Sequence, residues 1–337
     1  MDDLSKKYYH FFKDKIIAVT GATGYIGSNL INIFNQLPCK LRLHSRSSSN
    51  KKKLSDIAAN IFHIQGELTD KTICEQITEK ADIVYHLAAQ TSIYKANDDP
   101  ESDYMANVLP MRLLLESCRR QSQKITFIFT GTSTQCGIPT TIPVDENHPN
   151  IPVTLYDAHK LMAETYLSCY TQQNWVNGVT LRLSNIYGPG PESSTVERNV
   201  ISRMIQHAIQ GKELTVYGKG EYIRDYLYID DLMDALLCIA AKRTMSGKTF
   251  YVLGSGHGTR LVDAIQMISQ LVNIYTKISS PVINIPIPDS LHAIESRNFI
   301  ACTDAFSNDT GWKANINLQS GLDKTIRYFL NNQKESL

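Results

Sequence analysis

The 337-residue sequence has no closely spaced cysteine pair; its seven thiols (Cys39, Cys74, Cys118, Cys136, Cys169, Cys238 and Cys302) lie far apart. An odd, scattered set excludes a disulfide framework and reads as reduced thiols in a cytoplasmic protein. The nine histidines contain no HExxH or other metal spacing, so no metal site is expected. An excess of either charge is also lacking: the formal net charge is +1, which gives no ground for a nucleic-acid partner. No apolar run reaches the length of a membrane span, and the opening Met1-Asp2-Asp3-Leu4-Ser5-Lys6-Lys7 is unlike a signal peptide, so no membrane partner is expected. The sequon Asn308-Asp309-Thr310 is then incidental.

What is present is an alternation. Apolar, β-rich runs at 15–20, 41–44, 61–65, 83–87, 125–130, 179–183 and 249–253 are separated by helical patterns. Continuous runs such as Ile83-Val84-Tyr85-His86-Leu87 suit strands buried on both faces, as in parallel sheets. Ile26, Leu30, Ile33 and Leu37 fall on one helical stripe after Gly24. The series predicts an α/β fold with a doubly wound, mostly parallel seven-stranded sheet. After Leu183 the pattern thins, and Pro189, Pro191, Pro281, Pro286 and Pro288 interrupt it. A smaller C-terminal α/β domain is expected from 184–222 and 265–337, with 1–183 and 223–264 in the larger one and the chain returning to that larger domain through Leu227-Tyr228 and 249–253. The aromatic stretch Tyr8-Tyr9-His10-Phe11-Phe12 reads as a helix packed on the larger domain.

The strongest local signal is Ile16-Ile17-Ala18-Val19-Thr20-Gly21-Ala22-Thr23-Gly24-Tyr25-Ile26-Gly27. A strand enters a tight turn at Gly21, Gly24 lets backbone approach a pyrophosphate, and Gly27 lets helix pack on strand. The helix N-terminus then offers free N–H groups and a positive dipole end to the anion. This is the dinucleotide site of a Rossmann-type domain; the competing reading is a glycine-rich turn without a ligand. Such a site for NAD carries Asp or Glu at the end of the second strand, on the ribose 2′-OH. Here Ser45, Arg46 and Ser47 stand in that place, followed by Lys51-Lys52-Lys53. Arg46 can grip a 2′-phosphate bidentately, with the hydroxyls of Ser45 or Ser47 adding bonds, and NADP(H) is the expected cofactor. The three lysines alone read as a solvated basic loop.

Tyr156 and Lys160 are spaced i, i+4, one helical turn apart. Upstream, the strand at 125–130 runs into Gly131-Thr132-Ser133-Thr134, and strand C-terminal ends in such sheets face the ligand crevice. A glycine motif, a hydroxyl-rich strand end and YxxxK in this order form a specific combination. A tyrosine at pKa near 10 is a sluggish acid–base group, and a neighbouring ammonium favours its phenolate. A surface-facing helix tyrosine is the plain alternative, as packing is for His86.

At these motifs the chain resembles the extended short-chain dehydrogenase/reductases that act on nucleotide sugars. His86-Leu87-Ala88-Ala89, Arg182-Leu183-Ser184-Asn185-Ile186-Tyr187-Gly188-Pro189-Gly190, Val216-Tyr217-Gly218-Lys219-Gly220, Arg224-Asp225-Tyr226-Leu227-Tyr228 and Thr310-Gly311-Trp312 carry the likeness along nearly the whole length. The resemblance implies Thr132 as the catalytic hydroxyl, Tyr156 as proton donor or acceptor, and Lys160 on the nicotinamide ribose. It lines the cofactor with Thr23, Tyr25, Ile26, Glu67, Leu68, Leu87, Ala88 and Ala89. The nucleotide-diphosphate sugar substrate falls to Thr132, Ser133, Asn185, Asn199, Val216, Arg224 and Arg297, although a plain surface arginine is the alternative for Arg297. The dehydratases of this group carry Asp-Glu after the catalytic Thr; Ser133 and Thr134 stand there, which disfavours dehydration. Three passages (129–137, 156–164 and 252–258) are most similar to NDP-hexose 4-ketoreductases of deoxysugar biosynthesis. The expected activity is therefore NADPH-dependent reduction of the C4 ketone of a dTDP- or CDP-4-keto-6-deoxyhexose. The alternatives are an NDP-sugar 4-epimerase with tightly bound NAD and a non-catalytic dinucleotide sensor. The resemblance also implies a homodimer through the helices around 104–119 and 156–170, the first of which is apolar on more than one face.

Overall fold

The computed structural model describes residues 3–46, 60–190, 200–242 and 247–334. In chain order α1 (Asp3–Phe12) leads to β1 (Ile16–Thr20), α2 (Tyr25–Phe34), β2 (Lys40–Ser45), β3 (Ile61–Gln65), α3 (Lys71–Thr78) and β4 (Ile83–His86). Then come α4 (Ile93–Asp98), α5 (Pro100–Asn107), α6 (Leu109–Arg119), β5 (Thr126–Thr132), α7 (Leu155–Gln172) and β6 (Asn177–Leu183). The second half holds β7 (Asn185–Tyr187), α8 (Val200–Ile209), β8 (Leu214–Tyr217), β9 (Ile223–Tyr228), α9 (Ile229–Lys242) and β10 (Phe250–Leu253). It ends with β11 (Gly258–Arg260), α10 (Leu261–Thr276), β12 (Val282–Ile285), α11 (Asp304–Thr310) and α12 (Leu318–Lys334).

The large sheet has seven strands in the order β3-β2-β1-β4-β5-β6-β10, every pair parallel. All seven predicted strands are present. Alternate residues feed opposite cores: Ile17, Val19, Tyr85 and Ile128 join one apolar cluster, and Ala18, Val84, Phe127 and Phe129 join the other. Burial on both faces explains why these strands are apolar throughout instead of alternating. On α2, Leu30 and Ile33 are buried, as is Leu37 beyond its end. α1 packs on α2 and α9 through Phe12, whose ring meets that of Phe34 at 5.2 Å, and through Tyr8, whose hydroxyl donates to Asp234 Oδ1 at 2.7 Å. Strand order reverses between β1 and β4, so a crevice opens beyond their C-terminal ends.

Two organisational expectations are corrected. The apolar Leu227-Tyr228 run does not return to the large sheet: β9 lies at the centre of a separate three-stranded sheet, antiparallel to β11 and parallel to β7. The other expected segment, 249–253, does make the return as β10, reached through α9. The boundary at 264 falls inside α10, which packs on α8, α12 and the parallel pair β8–β12. Asp231 ties the C-terminal segment to α9, accepting from the Asn315 and Ile316 N–H groups while its carbonyl accepts from Trp312 Nε1.

Candidate active site

The turn between β1 and α2 is shaped by close backbone approach. Gly21 has φ +67°, and a Cβ there would sit 2.8 Å from the Ala88 nitrogen. A Cβ on Gly27 would stand 2.2 Å from the Gly21 carbonyl oxygen. Gly24 is the exposed N-cap of α2 and supplies no side-chain cap, so the first-turn N–H groups are left to an outside acceptor. Such a cradle, which side chains would fill, fits a pyrophosphate. Thr20 Oγ1 accepts from the Leu87 and Ala88 N–H groups, both at 3.2 Å, and pins that segment against the turn. With its lone pairs engaged, it gives its own proton to His86 Nδ1 at 2.8 Å. His86 is buried and stacked on Phe129, its pKa pushed down to about 3 by burial and then by the Lys160 charge. It is a neutral packing residue. Thr23, Tyr25, Ile26 and Ala89 are partly exposed around the same turn.

At the end of β2 the side chains differ from expectation in one respect. Ser45 is buried and its hydroxyl is bonded to His63 Nε2 at 3.0 Å, so it is engaged before any phosphate arrives. His44, also buried, meets the Gly66 carbonyl through Nε2 at 2.9 Å, and burial lowers its pKa. Arg46 is exposed. Glu67 is exposed beyond β3, whereas Leu68 is buried in the core. Ser47 and Asn199 lie outside the described residues.

Thr132 closes β5 and caps the 3-10 turn Ser133–Cys136; Tyr156 and Lys160 lie on the first turns of α7. The three are 5%, 4% and 2% exposed. Tyr156 packs with Ile93, Ala96 and Ile294, and Lys160 Nζ lies 4.1 Å from the centre of the Phe129 ring. Ser133 is buried. Behind these groups Gln135 gives a proton to Glu164, which is held in turn by Arg182 and through it by Asn150. Sequence reasoning missed Thr134, Thr154 and Asp157, which bond one another beside Thr132. A Thr-x-x-Asp box at 154–157 was the available signal.

Of the expected substrate residues, the structure brings Arg224 and Arg297 together and sets Val216 apart. Arg224 and Arg297 are each 6% exposed, which removes the surface reading of Arg297. Arg224 does not pair with Asp225 or Asp230. Its guanidinium donates to the Arg297, Glu295 and Ile223 carbonyls and lies 3.9 Å from Glu295 Oε2. Arg297 donates to the Ile294 carbonyl at 2.8 Å. Both therefore brace the 3-10 turn Ala293–Ser296, whose Ile294 touches the Tyr156 cluster. Asn185 is half-buried, with a buried Oδ1 that has no hydrogen-bond partner. Val216 is a core side chain of β8. Because the Glu295 and Arg297 carbonyls lose a charged donor, Arg224→Ala is expected to destabilise the fold by about 2–3 kcal/mol. A lowered urea midpoint is the expected reading, and an unchanged midpoint contradicts the bracing role.

Residues 17–254 match the model of the NAD dependent epimerase/dehydratase family. The chain belongs to that family, whose members bind a nicotinamide dinucleotide. It is 27% identical over 329 residues to a putative UDP-glucose 4-epimerase of Methanocaldococcus jannaschii, covering 95% of this chain and 100% of the relative. It is 26% identical to a UDP-glucose 4-epimerase of Mycolicibacterium smegmatis, over 93% and 98% of the two chains. A solved UDP-glucose 4-epimerase of Thermotoga maritima, in complex with UDP-glucose, superposes with a TM-score of 0.84 at 25% identity, over 94% of this chain and 99% of that one. These relatives are named as epimerases, whereas the motif likeness pointed to ketoreductases.

Proposed function

We propose that this chain is a nucleotide-sugar 4-epimerase. The observation that carries the reading is the buried set Thr132, Tyr156 and Lys160 at the crevice of a dinucleotide fold, in a chain matched end to end by relatives named UDP-glucose 4-epimerase. A dehydratase reading lacks its acid pair, since Ser133 and Thr134 have no useful acid–base pKa. A dinucleotide held in the β1–α2 turn would supply hydride exchange at sugar C4. Tyr156 takes the proton of the C4 hydroxyl and returns it to the ketone oxygen, Lys160 favours its phenolate and holds the ribose, and Thr132 bonds the same oxygen. Arg224 and Arg297 offer guanidinium to the diphosphate, and Asn185 offers its amide. Retained dinucleotide is the test: the purified protein, denatured in acid, should release close to one equivalent of NAD, and a protein that comes off the column empty argues against an epimerase.

One observation favours a second reading, the NADPH-dependent 4-ketoreductase. The end of β2 has Ser45 and Arg46 where an NAD site has a carboxylate, which suits an exchangeable NADP(H). Under that reading NADPH is preferred over NADH at least about tenfold, or 1.4 kcal/mol, and Arg46→Ala erodes the preference through cofactor affinity. Equal use of both cofactors by the unchanged protein sinks it.

A division into a dinucleotide-binding part and a sugar-nucleotide part is proposed with α10 assigned to the second, on its packing against α8 and α12. The seven thiols are unpaired, which supports a cytoplasmic location. Among the described residues no helix is long and apolar enough to cross a membrane. A homodimer through α5, α6 and α7 is proposed as well. Val108, Met111, Leu114 and Leu115 are buried within the chain, but Met105 and Met162 are 40% and 43% exposed. Light scattering at micromolar concentration is expected to give twice the chain mass, and a monomeric mass counts against the interface.

A further inference from the structure

The 3-10 turn Ala293–Ser296 joins the surroundings of Tyr156 to the two buried arginines. On one side its Ile294, 1% exposed, packs in the apolar cluster that holds Tyr156 with Ile93 and Ala96. On the other, its carbonyls are acceptors for the guanidiniums. Arg224 donates to the Glu295 carbonyl at 2.5 Å and to the Arg297 carbonyl just beyond the turn, and Arg297 donates to the Ile294 carbonyl at 2.8 Å. The Glu295 carboxylate adds a contact 3.9 Å from Arg224. With the turn in this place Thr132, Tyr156 and Lys160 are almost wholly covered. A hexose that reaches all three has to displace part of what covers them.

Three features make this clamp releasable by an anion. Neutral carbonyls are weaker partners for a guanidinium than phosphate oxygens, which take paired, charge-assisted bonds. Burial works against the Arg224 charge and pulls its pKa down, with partial relief from Tyr226 and Glu295. Both arginines are 6% exposed, so a diphosphate gains them only as the turn gives them up. Its charge then repels Glu295, which belongs to the turn itself.

We propose that the turn Ala293–Ser296 is a gate over Tyr156, latched by Arg224 and Arg297, and that the substrate's diphosphate opens it by drawing both guanidiniums away from the turn. The bracing and binding roles of Arg224 then belong to the closed and open forms. Ile294 becomes a specificity-determining residue, because a free hexose or a hexose monophosphate meets the gate closed. A ligand that binds the open form better shifts the population toward it by that difference in affinity. The inference rests on the nucleotide-sugar reading above and deepens it, by tying access to Tyr156 to the nucleotide end of the substrate.

The test uses a nucleoside diphosphate without its sugar: UDP, or dTDP if UDP gives no binding heat, with the matching nucleoside as control. The holoenzyme is saturated with each, amide hydrogen exchange is followed by mass spectrometry over 292–299, and nitration of Tyr156 by tetranitromethane is followed in the same samples. In the closed turn the Glu295 and Arg297 amides bond the His292 and Ile294 carbonyls. The diphosphate is expected to speed exchange of both amides and nitration of Tyr156 by about tenfold or more, as an opening equilibrium shifted by that factor requires. The nucleoside should do neither. Arginines that act as fixed braces predict unchanged or slower exchange on binding. Glu295→Gln removes the anion that competes for Arg224, so the diphosphate should bind up to about fivefold more tightly, the worth of a part-exposed ion pair. A merely structural role for Glu295 predicts unchanged or weaker binding. Diphosphate bound by calorimetry with exchange unchanged or slowed, or with Tyr156 no more reactive, overturns the gate while leaving the activity assignment standing. Failure of UDP and dTDP alike to bind overturns the nucleotide-sugar reading itself, and this inference with it.

Discussion

Tyr156→Phe is expected to lower turnover by a factor of roughly a hundred to ten thousand while the protein still purifies with its dinucleotide. The substitution removes one oxygen and leaves a ring of the same shape. Tyr156 is 4% exposed and packed among Ile93, Ala96 and Ile294, so the phenylalanine keeps those contacts and the helix register. What it loses is the only phenol in the YxxxK motif, one turn from Lys160 on α7. The dinucleotide cradle is built from other elements, the β1–α2 turn and the segment after β4, so its hold should survive. Activity is measured by single-turnover kinetics with bound cofactor quantified in the same sample. Retention of about half the turnover would reassign proton transfer to another group.

Gly27→Ala is expected to strip the protein of dinucleotide altogether, with apparent cofactor affinity lower by about a hundredfold or more, or 2.7 kcal/mol. The added methyl would sit 2.2 Å from the Gly21 carbonyl oxygen, and both partners are backbone, so no side chain can swing aside. Either α2 lifts from β1 or the Gly21 turn opens, and strain from overpacking of this kind costs about 1–3 kcal/mol. Both responses spoil the cradle. Gly24→Ala provides the contrast, because its Cβ would stand 3.2 Å from the same oxygen and the site is exposed. Thermal melting of the two variants should therefore order them, with Gly27→Ala clearly lower. Equal melting points would mean that the close approach at Gly27 is relaxed at no cost.

How much of this was legible depends on whether a feature is local. The seven strands of the large sheet could be read because burial on both faces leaves an unbroken apolar run, a property each strand shows by itself. β9 shows it too, in Tyr226-Leu227-Tyr228, yet its partners are β7 and β11, and pairing between segments tens of residues apart leaves no mark in either one. The boundary at 264 fell inside α10 because that helix opens at Arg260 without a side-chain cap. The placement of Tyr156 and Lys160 one turn apart on α7 was legible from their spacing. Its support was not, since Thr134 and Asp157 are 23 residues apart and neither is unusual until the fold brings them together. A plain surface arginine stayed open as the alternative for Arg297 because its burial depends on Arg224 and the 3-10 turn at 293–296.

The most direct test of the central claim is proton NMR of UDP-glucose incubated with a catalytic amount of the protein in deuterium oxide, with no cofactor added. The account predicts that UDP-galactose accumulates to equilibrium with its C4 proton retained, because the hydride leaves and returns within one site and only the hydroxyl proton exchanges. UDP-N-acetylglucosamine and dTDP-glucose are run alongside. Binding of these sugars with no C4 isomer formed from any of them, by protein carrying its dinucleotide, would contradict the epimerase assignment.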